Sequence, residues 1–395
     1  MAWSLYFTVL PWLLLDLTGS NSAPGWATTA VYLPFLLLAV PAGTLVDRMD
    51  RRRLLIAANA LRAVLAAVAP LLYMAGVLTG WHVLLSAFFL SAMNLVSYLV
   101  RSSLLPQIVG KRDILTANSA NFGILGLAMI AGAAAVGPVV RTLGLANASA
   151  VVAASLMVAA ALAARLELPP QAAQGADSSP LAWVDLLRGV SYVLREPVVR
   201  VLFLLDALYF VLGDGMFVAG LPLFVKDVLG GGPQVYGYLR TAGNAGMLLG
   251  ALWLGRYGRR FDKQRLVVLA WMGYGLSLLG FPLSRSIGPA LAASFFSLLI
   301  GHAIPACEGA LLQEKVPQEV LGRVFGVWNM IAPGSGSFSG LISGALASRA
   351  PATTLIGFAA GVSCFNVLLG LAGGLWHGEG ASAVANGGSR QRGSG

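Results

Sequence analysis

Charge is scarce in this chain. Asp, Glu, Lys and Arg together make up 11% of its 395 residues, less than half of the roughly one quarter usual in soluble domains. That set cannot cover the water-facing surface of a chain this long, which excludes an ordinary soluble globular protein. Cysteine is nearly missing. Cys307 and Cys364 stand inside apolar stretches, without metal-ligand or redox spacing, so they read as small core residues and not as a disulfide or a metal site. No glycine-rich phosphate loop occurs, which excludes direct use of ATP. No nucleophile with a base and no paired His/Asp array in a loop is found, so no enzyme and no cofactor is expected.

Apolar residues are abundant: 57% of the chain is hydrophobic and the mean hydropathy is +0.78. Runs long enough to cross a bilayer are expected near 1–18, 26–46, 54–76, 81–105, 118–140, 145–165, 198–222, 234–255, 266–284, 287–310, 322–347 and 352–376. The fold class is therefore an all-α polytopic membrane protein of about twelve transmembrane helices. The first run lacks a basic leader and is interrupted by Asp16, so it reads as a retained helix and not as a signal peptide. Six runs precede a polar break and six follow it. This gives an N-terminal bundle over 1–166, a linker over 167–197 with an interfacial helix from Trp183 to Leu194, a C-terminal bundle over 198–376, and a disordered Gly/Ser-rich tail over 377–395.

The formal net charge of +10 does not point to nucleic acid, because the basic residues sit in short clusters between apolar runs. With both termini placed in the cytoplasm, nineteen fall in inner loops or the tail and four, Arg141, Lys226, Arg285 and Arg349, in outer loops. That bias fixes the expected orientation as multi-pass in the cell membrane with both termini inside.

The halves repeat. Leu10-Pro11 followed by Asp16 and Gly19 matches Leu221-Pro222 followed by Asp227 and Gly230, at an offset of 211. Gly43, Arg48, Asp50, Arg53 and Leu54 recur as Gly255, Arg260, Asp262, Arg265 and Leu266, at an offset of 212. Two parallel six-helix halves place a substrate site at their interface near mid-bilayer. By the same offset helix 1 is about a dozen residues shorter than helix 7 at its cytoplasmic end, through an upstream start or a short first helix.

The segment Gly43-x-Leu45-x-Asp47-Arg48-x-x-Arg51-Arg52 resembles motif A of the major facilitator superfamily, departing where Asp50 replaces the usual glycine. Leu105-Pro-Gln-Ile-Val109 and Val316-Pro-Gln-Glu-Val-Leu-Gly-Arg-Val-Phe325 resemble its macrolide-efflux and secretion-effector-like branch. Gly123, Gly132 and Gly137-Pro138 in helix 5 resemble the antiporter motif C of drug exporters, with imperfect spacing; the alternative is an ordinary Gly-Pro kink. The resemblance implies secondary transport of a small molecule coupled to protons. It also implies a conformational gate at Gly43, Asp47, Arg48, Arg51 and Arg52, where Gly43 allows close helix packing. For the basic residues, plain anchoring to lipid phosphates stays open.

Ionisable groups within the spans each cost about 2.5–3.5 kcal/mol on insertion scales and need a reason. Asp214, between Gly213 and Gly215 near the middle of helix 7, is the leading candidate for proton coupling or cation binding. An ion pair with Arg240 at similar depth on helix 8 is the alternative. Asp206, two turns nearer the cytoplasm, either continues an acidic path or is hydrated in the inner vestibule. His302 in helix 10 is either a proton relay or a satisfied buried histidine. Arg62 reads as a snorkelling structural residue. Arg101 and Glu308, at pseudo-symmetric helix ends, pair across the halves or else locally, Arg101 with Asp47 and Glu308 with Arg256 or Arg259. The expected function is a proton-coupled exporter of an amphiphilic compound such as a drug, siderophore or secreted metabolite. An uptake symporter for a polar solute and a non-transporting scaffold are the alternatives. The expected partners are the substrate, protons and the bilayer, with the chain as a monomer.

Overall fold

In the computed structural model, residues 1–108, 114–165 and 182–376 are described. The tail 377–395, Lys111, Arg112 and the first part of the expected linker lie outside these residues, as does the side chain of Asp47.

All regular structure among the described residues is helical. The first six spans are α1 (Ala2–Thr18), α2 (Ala23–Arg48), α3 (Arg51–Met74), α4 (Gly80–Ile108), a fifth divided into α5 (Ile114–Ala134) and α6 (Val136–Leu143), and α7 (Ala148–Ala164). Helix α8 (Ala182–Arg195) precedes the second set. The seventh span runs through α9 (Pro197–Leu208), a π-helical turn (Tyr209–Asp214) and α10 (Gly215–Asp227). Then come α11 (Pro233–Tyr257), α12 (Lys263–Leu283), a tenth span divided into α13 (Ile287–Gly301) and α14 (Ala303–Lys315), α15 (Gln318–Ala347) and α16 (Ala352–Ala372). Eight of these spans are long and apolar enough to cross a bilayer by themselves, and α1 and α7 are shorter apolar helices.

The internal repeat is visible in the backbone. Asp50 and Asp262 each cap the following helix, accepting the N–H of Arg53 at 2.7 Å and of Arg265 at 2.9 Å. Asp50 thus occupies the glycine position of motif A as a helix N-cap, a role its side chain fills well. Gly19 and Gly230 both adopt left-handed conformations, with φ of 62° and 58°, where a side chain would be strained.

Two span breaks have covalent causes. Pro138 offers no N–H to the carbonyl four residues back, and the fifth span breaks at Ala135. Pro305 does the same to Gly301, and the tenth span breaks at His302.

The two halves meet most tightly along α2 and α15. A Cβ on Gly25 would lie 2.4 Å from the Gly344 nitrogen, and one on Gly340 would lie 2.7 Å from the Gly25 carbonyl. Glycine lets these backbones touch. Further inward Gly336 abuts the Tyr32 ring and Gly334 abuts Leu36. At the opposite ends the same helices diverge. A Cβ on Gly43, Gly322 or Gly326 would meet nothing within 4 Å, and all three glycines line a cavity of ≈ 1210 Å³. The expectation that Gly43 permits close helix packing is therefore corrected for this conformation. It borders open space.

Candidate functional site

The molecule is sealed at one end and open at the other. At the sealed end, Thr29 Oγ1 donates to the Ser337 carbonyl at 3.1 Å, Lys226 Nζ to Asn21 at 3.3 Å and Arg141 to Gln234 at 3.2 Å. Each bond joins the first half to the second. Deeper in, Asn244 donates to the Met129 carbonyl at 3.1 Å. The open end carries the basic loops around 48–53 and 259–265, and is called the basic face below.

Motif A lies at this face. Arg52 donates to the carbonyl of Ala164 at the end of α7, tying that loop to its own half. Arg48 is exposed. The Nε atoms of Arg51 and Arg52 are buried without partners. Arg101 and Arg62 line the large cavity with Asn59, Asn94 and Tyr98, and Arg62 donates to Asn59 at 3.3 Å.

Asp214 ends the π-helical turn. The two glycines beside it have separate tasks. A Cβ on Gly213 would strike the Tyr209 ring at 2.6 Å, and one on Gly215 would lie 2.4 Å from the Ser339 backbone. The Gly215 N–H donates to Ser339 Oγ at 2.8 Å, so the seventh span is pinned to α15 directly after Asp214. A π turn inserts one extra residue and re-aims the side chains beyond it; such turns recur at functional sites. The Asp214 carboxyl lies near the Tyr32 hydroxyl on α2, close enough for their charges to interact, and its Oδ2 is buried without a partner.

Asp214 and Arg240 form no ion pair in this state. Their charges are close enough to interact, but the Arg240 guanidinium stacks over the Phe7 ring of α1 at 5.4 Å. Both Asp214 and Arg240 therefore touch the opposite half, one through Tyr32 and the other through Phe7.

A second cavity of ≈ 370 Å³ lies within the C-terminal half, lined by Asp206, Asp214, Trp271, Tyr274, His302 and Trp328 among others. It joins three of the ionisable residues singled out from sequence. His302 reaches it because the tenth span breaks there. Trp328 Nε1 donates to Asp206 Oδ2 at 2.5 Å, and the hydroxyls of Tyr209 and Tyr274 are 2.7 Å apart. Asp206 is 6% exposed and Glu308 1%, so the hydrated-vestibule alternative for Asp206 does not describe this state.

Glu308 does not reach Arg101, which is exposed in the other cavity, Arg256 sits over the Tyr257 ring, and the side chain of Arg259 lies outside the described residues. Instead the Glu308 carboxyl faces those of Asp206 and the indole of Trp271. In helix 5, a Cβ on Gly132 would lie 2.4 Å from the Met1 carbonyl, so this glycine admits the start of α1. Gly137 has ordinary clearance from Gln234.

Trp271 and Trp328 were not singled out from sequence, and Tyr32 stood out only as one of several span aromatics able to line an apolar cavity. The run Gly336, Gly340, Gly344 at four-residue spacing was a readable signal for close helix approach. No cluster of His, Cys, Asp and Glu able to hold a metal occurs among the described residues.

A sequence model described as Major Facilitator Superfamily matches residues 1–340. The chain is 26% identical over 360 residues to the multidrug efflux pump Tap of Mycolicibacterium fortuitum, covering 86% of this chain and 84% of that protein. It is 24% identical over 331 residues to macrolide efflux protein A of Streptococcus pyogenes, covering 80% and 79%. The crystal structure of the nucleoside transporter NupG superimposes with a TM-score of 0.76 at 14% identity, covering 94% of this chain and 95% of that one. At that identity the likeness concerns the fold.

Proposed function

The chain belongs to the major facilitator superfamily, and from that premise we propose that it is a proton-coupled exporter of amphiphilic small molecules, working by alternating access. The observation that carries the reading is the asymmetry of α2 and α15. Their backbones touch at Gly25 and Gly344 and part at Gly43 and Gly322, so the cavity opens toward one face only. Rocking the halves about the central layer of Tyr32, Asp214, Arg240 and Phe7 would reverse this. The positive-inside bias assigns the basic face to the cytoplasm of a cell membrane, with both termini there. A cavity open to that side loads from within. Efflux is also the activity named for Tap and for macrolide efflux protein A.

The substrate-facing lining supports an amphiphile. Trp3, Phe35 and Tyr98 share the large cavity with Asn59 and Asn94, a mainly apolar wall with a few polar groups. Gate roles for Asp47, Arg48, Arg51 and Arg52 belong to this proposal, since their loop must move as the basic face closes. The test is a growth-inhibition screen over drug classes, with and without the expressed protein, followed by accumulation assays. Reduced accumulation that is restored by a protonophore supports the reading. Raised accumulation of a polar solute would favour uptake instead.

A further inference from the structure

Asp206 on α9 and Glu308 on α14 are the two most deeply buried carboxylic acids among the described residues, at 6% and 1% exposure. Their carboxyl groups face one another. Asp206 accepts the Trp328 indole N–H. Neither Glu308 oxygen meets a conventional donor at hydrogen-bond geometry, and the neighbouring Trp271 Nε1 is likewise buried without a partner.

Among the described residues, which do not include the side chain of Arg259, no cation faces the pair. Lys263, at the start of α12, is engaged by Glu314. Arg323 on α15 lines the other cavity, as does Arg101. Arg200 on α9 bonds the Leu194 carbonyl, and Arg188 on α8 is exposed. On the remaining faces stand Cys307, His302, Tyr209, Tyr274, Asp214 and, from α16, Asn366, whose Nδ2 is committed to the Leu205 carbonyl.

Two facing carboxylates in a low-dielectric interior cannot both stay ionised, and a buried charge without donors is more costly still. A single proton between them removes one charge, gives Glu308 an O–H to donate, and uses the free lone pairs of Asp206 to accept it. The ≈ 370 Å³ cavity, which Asp206 and Asp214 both line, supplies a route from the central layer.

We propose that Asp206 and Glu308 form one proton-binding site, a carboxyl pair that holds a single shared proton in this conformation and gives it up during turnover. The proton enters from water on the sealed face once that face opens, passes the Asp214 layer, and leaves to water on the basic face. The proposal rests on the reading of the chain as a proton-coupled transporter, and it locates the coupling site away from Asp214.

The test is infrared difference spectroscopy on purified full-length protein in lipid at neutral pH, with Glu308→Gln, Asp206→Asn and Asp214→Asn compared to wild type. Both amide variants keep the shape of the side chain. The wild type is expected to show a protonated-carboxyl band that vanishes in Glu308→Gln and equally in Asp206→Asn, and persists in Asp214→Asn. A shared proton needs both partners, so a band that survives either of the first two changes, or is absent from wild type, overturns the site. Drug transport in vesicles separates the two ideas. Reciprocal loss of the band together with transport indifferent to a pH gradient would leave the shared proton standing and remove the coupling reading.

Discussion

Tyr32 and Asp214 meet across the boundary between the two halves: the phenol comes from the second span and the carboxyl from the seventh. One turn of α2 away, Thr29 bonds the Ser337 carbonyl of the opposite half, so Tyr32 lies at the inner edge of the sealed region.

Tyr32→Phe keeps the ring against Gly336 and removes only the hydroxyl. It is expected to weaken the sealed state and lower the efflux rate severalfold, with normal membrane abundance. Unchanged efflux kinetics in whole cells would show that the contact is incidental.

Arg240 stacks on Phe7 and is not paired with Asp214. A tight ion pair would make the double change Asp214→Asn with Arg240→Gln milder than either single change, because no unpaired buried charge remains. The geometry predicts the reverse: the double variant is at least as impaired as Asp214→Asn alone. Rescue in the double variant, measured as drug accumulation, would restore the ion-pair account.

Gly344→Val and Gly43→Ala should part company. The first places side-chain atoms at the tightest contact of α2 with α15, where Gly25 already lacks room for a Cβ, and should hold the sealed end ajar. The second projects into open space in this state. Cysteines introduced at Thr29 and Ser337, with Cys307 and Cys364 replaced, report on closure. Crosslinking is expected to fall at least severalfold with Gly344→Val and to persist with Gly43→Ala.

Much of this was legible in the chain itself. Twelve apolar runs gave the spans, because a bilayer imposes a minimum length that periodicity does not obscure. The offset of 212 residues anticipated the paired caps at Asp50 and Asp262. Less was legible at the site. Asp214 could be marked from its charge and depth, but its contact with Tyr32 depends on how two halves dock, which no local pattern encodes. The facing of Asp206 and Glu308 was hidden for the same reason. They are 102 positions apart, and the break at His302, three residues before Pro305, which offers no N–H to the Gly301 carbonyl, separates α14, with Glu308 on it, from α13. Gly43 was misread because one conformation of an alternating protein shows one end packed and the other parted.

Orientation has its own check. Single cysteines in the 48–53 and 259–265 loops should resist impermeant thiol reagents in intact cells, while one at Ser22 should label once the sealed end opens during turnover. Equal labelling of the two basic loops and Ser22 would contradict the assignment of the basic face to the cytoplasm.

The most direct measurement is transport in reconstituted vesicles with an imposed pH gradient, using a drug identified by the growth screen. The account predicts drug movement against its own gradient, driven by protons flowing the other way and stopped when the pH gradient is collapsed. Drug accumulation that proceeds at the same rate without any pH gradient would contradict proton-coupled export.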